Sequence, residues 1–214
     1  MAKIGSEDKE RIKELFSENL EGDVNIHFFT DGDACEYCED TREILDEISS
    51  LDDRINLTVN NLGEEEAERL GINRAPAIVF VDDEGEDLGV HFYGIPSGYE
   101  FNTLIEDIID ISNNGPRDLG DDIKEQIKAI DKDVRLQVFI TPTCPYCPRA
   151  VRVAHQMAML NPKVRGEMIE AIEFRDLSEK YNVSGVPKTV INDGAAEQVG
   201  AVPAQVILNK IKEV

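Results

Sequence analysis

Of the 214 residues none is tryptophan, three are histidine and four are cysteine, and basic residues are half as numerous as acidic ones, 22 against 44. His27, His91 and His155 are scattered and share no ligand spacing, so they read as structural or surface residues rather than a metal centre. A net charge of −22 makes nucleic acid an unfavourable ligand. No apolar run approaches the roughly 20 residues that span a bilayer, and Met1 to Glu10 is charged and lacks the apolar stretch of a signal peptide. A soluble, cytoplasmic chain without membrane contact is therefore expected. Phosphate loop, dinucleotide fingerprint and nucleophile elbow are all missing, so no cofactor is expected on the chain itself, and flavin or NADPH would belong to a partner.

What is present is concentrated in the four cysteines. They form two Cys-x-x-Cys pairs, Cys35-Glu36-Tyr37-Cys38 and Cys144-Pro145-Tyr146-Cys147, with none left over. In a reducing cytosol such pairs are more often redox-active or metal-binding than structural. Each pair follows a β-branched apolar run, Val24 to Phe29 or Val134 to Ile140, and precedes a helical pattern. The first cysteine of each is therefore expected where a strand turns into a helix N-terminus. Unpaired N–H groups and the helix dipole stabilise a thiolate there, bringing a thiol from about 8.5 to roughly 3.5–7.5 in such motifs. A thiolate with a second thiol in reach can attack a disulfide and then resolve the mixed disulfide.

The rest of the chain repeats with the cysteines. Cys35 and Cys144 lie 109 positions apart, and Pro76 and Pro187, each closing an apolar segment about forty residues after its pair, lie 111 apart. Strand, Cys-x-x-Cys, helix, strand, helix, X-Pro, hairpin, helix is written twice, which predicts repeated domains. The polar stretch Ser112 to Arg117 places the boundary, giving domains 1–117 and 118–214. Ile12, Leu15, Phe16 and Leu20, and later Ile123, Ile127 and Ile130, predict an opening helix in each copy.

Charge separates the copies. Residues 1–117 carry 9 Lys and Arg against 30 Asp and Glu, a balance of −21, whereas residues 118–214 carry 13 against 14, a balance of −1. The acidic half should repel polyanions and favour basic or neutral partners. Around the first pair, Asp31, Asp33, Glu36, Glu39 and Asp40 face only Arg42, and like charge raises a thiol pKa. At the second, Pro145 suits the first helical position and Arg149 and Arg152 add positive potential. Cys144 is accordingly expected to be the more acidic nucleophile and Cys144–Cys147 the more oxidising pair. Pro148, just past the first turn, is expected to kink its helix slightly.

These motifs resemble the protein disulfide oxidoreductases of archaea and thermophilic bacteria, glutaredoxin-like proteins with two tandem thioredoxin folds. The likeness is densest in Asp133-Val134-Arg135, Thr141-Pro142-Thr143-Cys144-Pro145-Tyr146-Cys147-Pro148 and Ala150-Val151-Arg152, with Arg74-Ala75-Pro76-Ala77 and Val186-Pro187-Lys188 resembling the family's two proline loops. The resemblance implies an α/β fold of two tandem thioredoxin-like domains, each a central mixed β-sheet flanked by helices. It implies an enzyme acting on protein disulfides, recycled by a thioredoxin-reductase-type flavoprotein. Cys35 and Cys144 would attack and Cys38 and Cys147 would resolve. Ala75, Pro76, Val186 and Pro187 would present backbone to an extended client peptide beside a cis proline, while Tyr37 and Tyr146 shape the client groove. The sequence departs from thioredoxins in lacking an acid six residues before each first cysteine, where Phe29 and Val138 stand. Glu170 and Glu173 offer one for the second domain, although a solvent-facing edge is the expected role of that segment.

Two other readings stay open. A metal- or cluster-binding module would use the cysteine pairs as ligands, against a spacing that puts each pair in its own domain. A peptide-binding chaperone domain would keep the groove without using the thiols.

Overall fold

The computed structural model describes residues 3–214, with the Asp33 side chain excepted. The first half runs α1 (Ser6–Asn19), β1 (Val24–Thr30), α2 (Cys38–Ser49), β2 (Ile55–Asn61), α3 (Glu65–Leu70), β3 (Ala77–Val81), β4 (Asp87–Tyr93) and α4 (Glu100–Ser112). The second runs α5 (Asp121–Lys128), β5 (Val134–Ile140), α6 (Cys147–Leu160), β6 (Val164–Glu170), α7 (Arg175–Lys180), β7 (Lys188–Ile191), β8 (Ala196–Val199) and α8 (Ala204–Glu213). The order repeats, and so does the pairing. β1 and β5 each lie between a parallel neighbour, β2 or β6, and an antiparallel one, β3 or β7.

The two mixed sheets are continuous. β4, the last strand of the first half, pairs in parallel with β6 of the second, Val90 opposite Gly166 and Tyr93 opposite Ile169. The result is one eight-stranded sheet in the order β2-β1-β3-β4-β6-β5-β7-β8. A strand that is an edge in an isolated copy thereby becomes internal, and its free N–H and C=O groups are paired.

Strand alternation separates two apolar layers. Ile26, Phe28, Ile78, Phe80, Phe92, Leu136, Val138 and Met168 face the layer that contains α1, α2, α4, α6 and α8, whereas Phe29, Val79, Tyr93, Phe139 and Ile169 face that of α3 and α7. Period-two patterning in buried strands does this without any special residue. Phe16 of α1 is fully buried in the first layer. Burial of such a side chain contributes about 1.5–3 kcal/mol.

A polar seam joins the halves under the shared sheet. Arg152 of α6 pairs with Asp107 and Asp110 of α4, and His155 Nδ1 bonds Asp107 Oδ2 at 2.6 Å while its Nε2 reaches the His91 carbonyl at 3.1 Å. Asp107 and His155 are completely buried. His91, also buried, meets Asp87 at 2.8 Å, and Asp87 takes Arg165 across the β4–β6 junction. These histidines are structural members of the seam.

Candidate active sites

At the end of β1 a short 3-10 turn, Gly32–Ala34, delivers Cys35, and α2 begins at Cys38. Cys35 and Cys38 are disulfide-bonded with Cα atoms 5.4 Å apart. Cys38 is buried, and Cys35 is half-buried at the wall of a cavity it shares with Glu36, Tyr37, Ala75, Pro76 and Glu173. The Ala75–Pro76 peptide is cis, and both residues precede β3 directly.

The second site repeats this plan. Cys144 follows a turn closed by its own N–H on the Thr141 carbonyl at 3.0 Å, and Cys147 opens α6. The pair is disulfide-bonded with Cα atoms 5.5 Å apart. The Val186–Pro187 peptide is cis, and the Val186 carbonyl oxygen lies 3.8 Å from Cys144 Sγ. Tyr146 stands beside the pair and is mostly exposed, whereas Tyr37 is half-buried. Both proline loops therefore meet the cysteine pairs of their own halves.

Four local expectations need correction. Each helix starts at the second cysteine rather than the first, because the x-x residues form a turn before it. Pro145 consequently lies ahead of α6, and Pro148 occupies its second position, where a missing N–H leaves no bond unmade and no kink follows. Arg152 gives the second site little positive potential, since Asp107 and Asp110 neutralise it on the α4 side. Arg42 likewise turns to Asp46 at 3.4 Å, so the counter-charge at the first site comes from Lys3, which pairs with Asp40 at 2.5 Å, rather than from α2. The Asp33 side chain, part of that acidic cluster, lies outside the described residues.

The fourth correction concerns acids. Glu170 and Glu173 do not form a solvent edge: β6 is internal, Glu170 is 2% exposed, and its Oε2 accepts the N–H groups of Ile172 and Glu173. Nor do they both serve the second domain. Glu173 turns into the cavity of Cys35, where Oε1 accepts the Ile95 N–H at 2.8 Å and Oε2 is buried without a partner. Burial, with Glu170 and Glu36 nearby, pushes its carboxyl up to about 7. Gly94 makes this possible: at φ +99 a Cβ would stand 2.5 Å from the Glu170 Cβ and 2.9 Å from Glu173 Oε1. The Tyr37 phenol is raised as well, first by Glu36 and then by burial and Glu173.

Sequence reasoning missed a further acid. Glu100, the first residue of α4, is completely buried, accepts Thr103 Oγ1 at 2.6 Å and leaves Oε1 unpartnered. Burial pushes it up to about 7. It sits beneath the loop leading to Cys144, for the Tyr99 N–H donates to the Pro142 carbonyl at 3.1 Å and Gly98 packs against the same group. An acid opening an amphipathic helix reads as a dipole partner, so nothing local marked it. The second half thus lends a buried acid to the cavity of Cys35, and the first half carries one next to the residues that meet the loop before Cys144.

Helix N-termini differ too. The first turn of α2 contains Glu39, which competes with a thiolate for the dipole, and Asp40, which Lys3 pairs, whereas that of α6 contains no acid. Among the described residues no group of three or more His, Cys, Asp and Glu could hold a metal ion, and no helix is long and apolar enough to cross a membrane.

Residues 134–213 match the thioredoxin domain family. The F component of alkyl hydroperoxide reductase from Staphylococcus aureus is 32% identical over 203 residues, 95% of this chain and 36% of that protein. The chain therefore spans about a third of the length of the curated relatives it matches. A solved structure of the alkylhydroperoxide reductase F component from Enterococcus faecalis superposes with a TM-score of 0.88 at 28% identity, covering 97% of this chain and 99% of that one. A protein disulfide oxidoreductase from Aeropyrum pernix superposes with a TM-score of 0.87 at 29% identity, covering 97% and 92%. Over nearly its full length the chain has the tandem thioredoxin-like architecture of both, with two Cys-x-x-Cys pairs at disulfide distance.

Proposed function

We propose that this thioredoxin-fold chain, of thiol–disulfide oxidoreductase type, acts on protein disulfides by dithiol exchange, with Cys144–Cys147 as the main site and Cys35–Cys38 as a second, less oxidising one. The observation that carries the reading is the 3.8 Å approach of the Val186 carbonyl to Cys144 Sγ. An extended client strand laid along Val186 and Pro187, or along Ala75 and Pro76, would bring its own sulfur to the less buried cysteine of the pair, Cys144 at 8% exposure or the half-buried Cys35. Cys35 and Cys144 attack, and the buried Cys38 and Cys147 resolve the mixed disulfide. Tyr146, exposed beside the second pair, and Tyr37, at the first, give each groove an aromatic flank. Glu100, buried beside the segment that meets the loop before Cys144, would hold a proton for the second pair, and a flavoprotein of thioredoxin-reductase type would supply electrons. The chain acts in the cytoplasm, as two thioredoxin-like units meeting near residue 117.

A second reading is favoured by the 95% coverage against the F component of alkyl hydroperoxide reductase: the chain relays electrons from a flavoprotein to a peroxide-reducing partner. Insulin disulfide reduction with dithiothreitol separates the two. Under the protein-disulfide reading, Cys144→Ser/Cys147→Ser lowers turnover at least about tenfold and Cys35→Ser/Cys38→Ser by less. Absence of turnover in the wild type rejects that reading in favour of the relay.

A further inference from the structure

Resting on the dithiol-exchange reading, we infer that Glu173, supplied by the second half, is the general acid of the first cysteine pair and protonates the client sulfur displaced by Cys35. The geometry places it for this task. The carboxyl shares a cavity with Cys35, Tyr37 and the Ala75–Pro76 loop, so it faces the space a client disulfide would occupy. Its Oε1 is fixed by the Ile95 N–H, and its other oxygen is buried and unpartnered. A buried carboxyl oxygen without a donor is costly when charged and serviceable when it bears a proton.

The carboxylates nearest Glu173 act in the same direction. Glu170 lies on β6 behind it, and Glu36 lies on the motif turn in front, and both oppose its ionisation. Arg175 and Asp176 border the cavity from α7; Arg175 Nε donates to the Ile172 carbonyl at 3.3 Å, and Asp176 is paired with Arg74 at 2.7 Å. With burial included, the carboxyl stays largely protonated up to about pH 7.

In the reducing direction the Cys35 thiolate forms a bond to one client sulfur, the client S–S bond breaks, and its electron pair stays on the departing client sulfur, which takes the Glu173 proton. The Cys38 thiol then gives up its proton, its sulfur bonds to Cys35 Sγ, and the second client sulfur leaves carrying a proton. The protein dithiol is oxidised to the disulfide and the client disulfide is reduced to two thiols. Glu173 recovers its proton from solvent. In the oxidising direction the carboxylate takes the proton from the incoming client thiol.

The test uses the full chain with Cys144→Ser/Cys147→Ser, so that only the first pair reacts, and compares Glu173→Gln with that parent on two substrates. With an alkyl disulfide peptide, whose leaving thiolate needs a proton, Glu173→Gln lowers the rate at least about tenfold at pH 6.5 and abolishes the fall in rate per Cys35 thiolate near pH 7. With an aromatic disulfide, whose leaving thiolate is stable, the rate at pH 6.5 is unchanged, because a neutral amide then replaces a largely neutral carboxyl beside Cys35. Glu173→Asp, Cys35 alkylation and Glu170→Gln serve as rescue, integrity and specificity controls. Equal rates for parent and Glu173→Gln on the alkyl disulfide overturn the inference and leave the dithiol reading intact. A parallel loss on the aromatic disulfide also overturns it, by showing a structural role. Inactivity of the parent while wild type works overturns it as well, since the first pair then handles no client.

Discussion

The two cysteine sites occupy equivalent places in equivalent folds, yet their electrostatic surroundings are opposite. At the first, Glu36 lies between the cysteines, Glu39 sits in the first helical turn beside Asp40, which Lys3 pairs, and Glu173 and Glu170 approach from the other half. At the second, the first turn of α6 holds no acid, Asp107 and Asp110 are neutralised by Arg152, and the nearby Glu100 is raised toward neutrality by burial. A Cys-x-x-Cys motif thus fixes sulfur geometry, whereas the charge reaching the thiolate is set by elements distant in sequence. The Cα separations of 5.4 and 5.5 Å are the same, and the surroundings are not.

The largest disturbance to this pairing of sites comes through the seam, because one network holds α4 against the helix that carries Cys147. Asp107→Ala removes the buried partner of His155 Nδ1, leaves Arg152 with Asp110 alone, and is expected to cost about 3–5 kcal/mol. Calorimetry should show a melting temperature lower by roughly 10 °C. Loss of a single transition in favour of two would show that the halves had been coupled through this network.

A smaller effect separates the second site from the first. Glu100 has a folded pKa of about 7, raised above the roughly 4.3 it regains on unfolding. The folded state therefore binds the extra proton between these values. The stability it contributes is complete below about pH 4.3 and is lost as pH rises through about 7. Glu100→Gln keeps the neutral form at every pH, so it should melt roughly 5 °C above wild type at about pH 8 and alongside it at about pH 4. Coincident melting at both values would show that Glu100 ionises in the fold without penalty.

Legibility in the sequence followed how locally each feature is determined. The cysteine pairs, Pro76 and Pro187 were readable because each lies beside a strand, and a repeat of about 110 residues gives the element order twice. The parallel pairing of β4 with β6 was not, since no local pattern in Asp87–Tyr93 or Val164–Glu170 distinguishes a free edge from one that docks on another copy. The misreading of Glu170 and Glu173 follows directly: acids along an assumed edge look solvated, but pairing on both sides buries Glu167 and Glu170 completely or nearly so. Pro145 and Pro148 were misplaced by smaller margins, because a helix that starts at the first or third residue after Cys144 leaves the same pattern.

Two sites of one geometry should therefore differ in redox poise through their charge. Equilibrating Cys35→Ser/Cys38→Ser and Cys144→Ser/Cys147→Ser separately with glutathione buffers gives the reduction potential of each remaining pair. Cys144–Cys147 is expected to be the more oxidising by at least about 30 mV, the equivalent of about one unit in thiol pKa. Equal potentials, or a more oxidising Cys35–Cys38, would refute the assignment of poise to local charge.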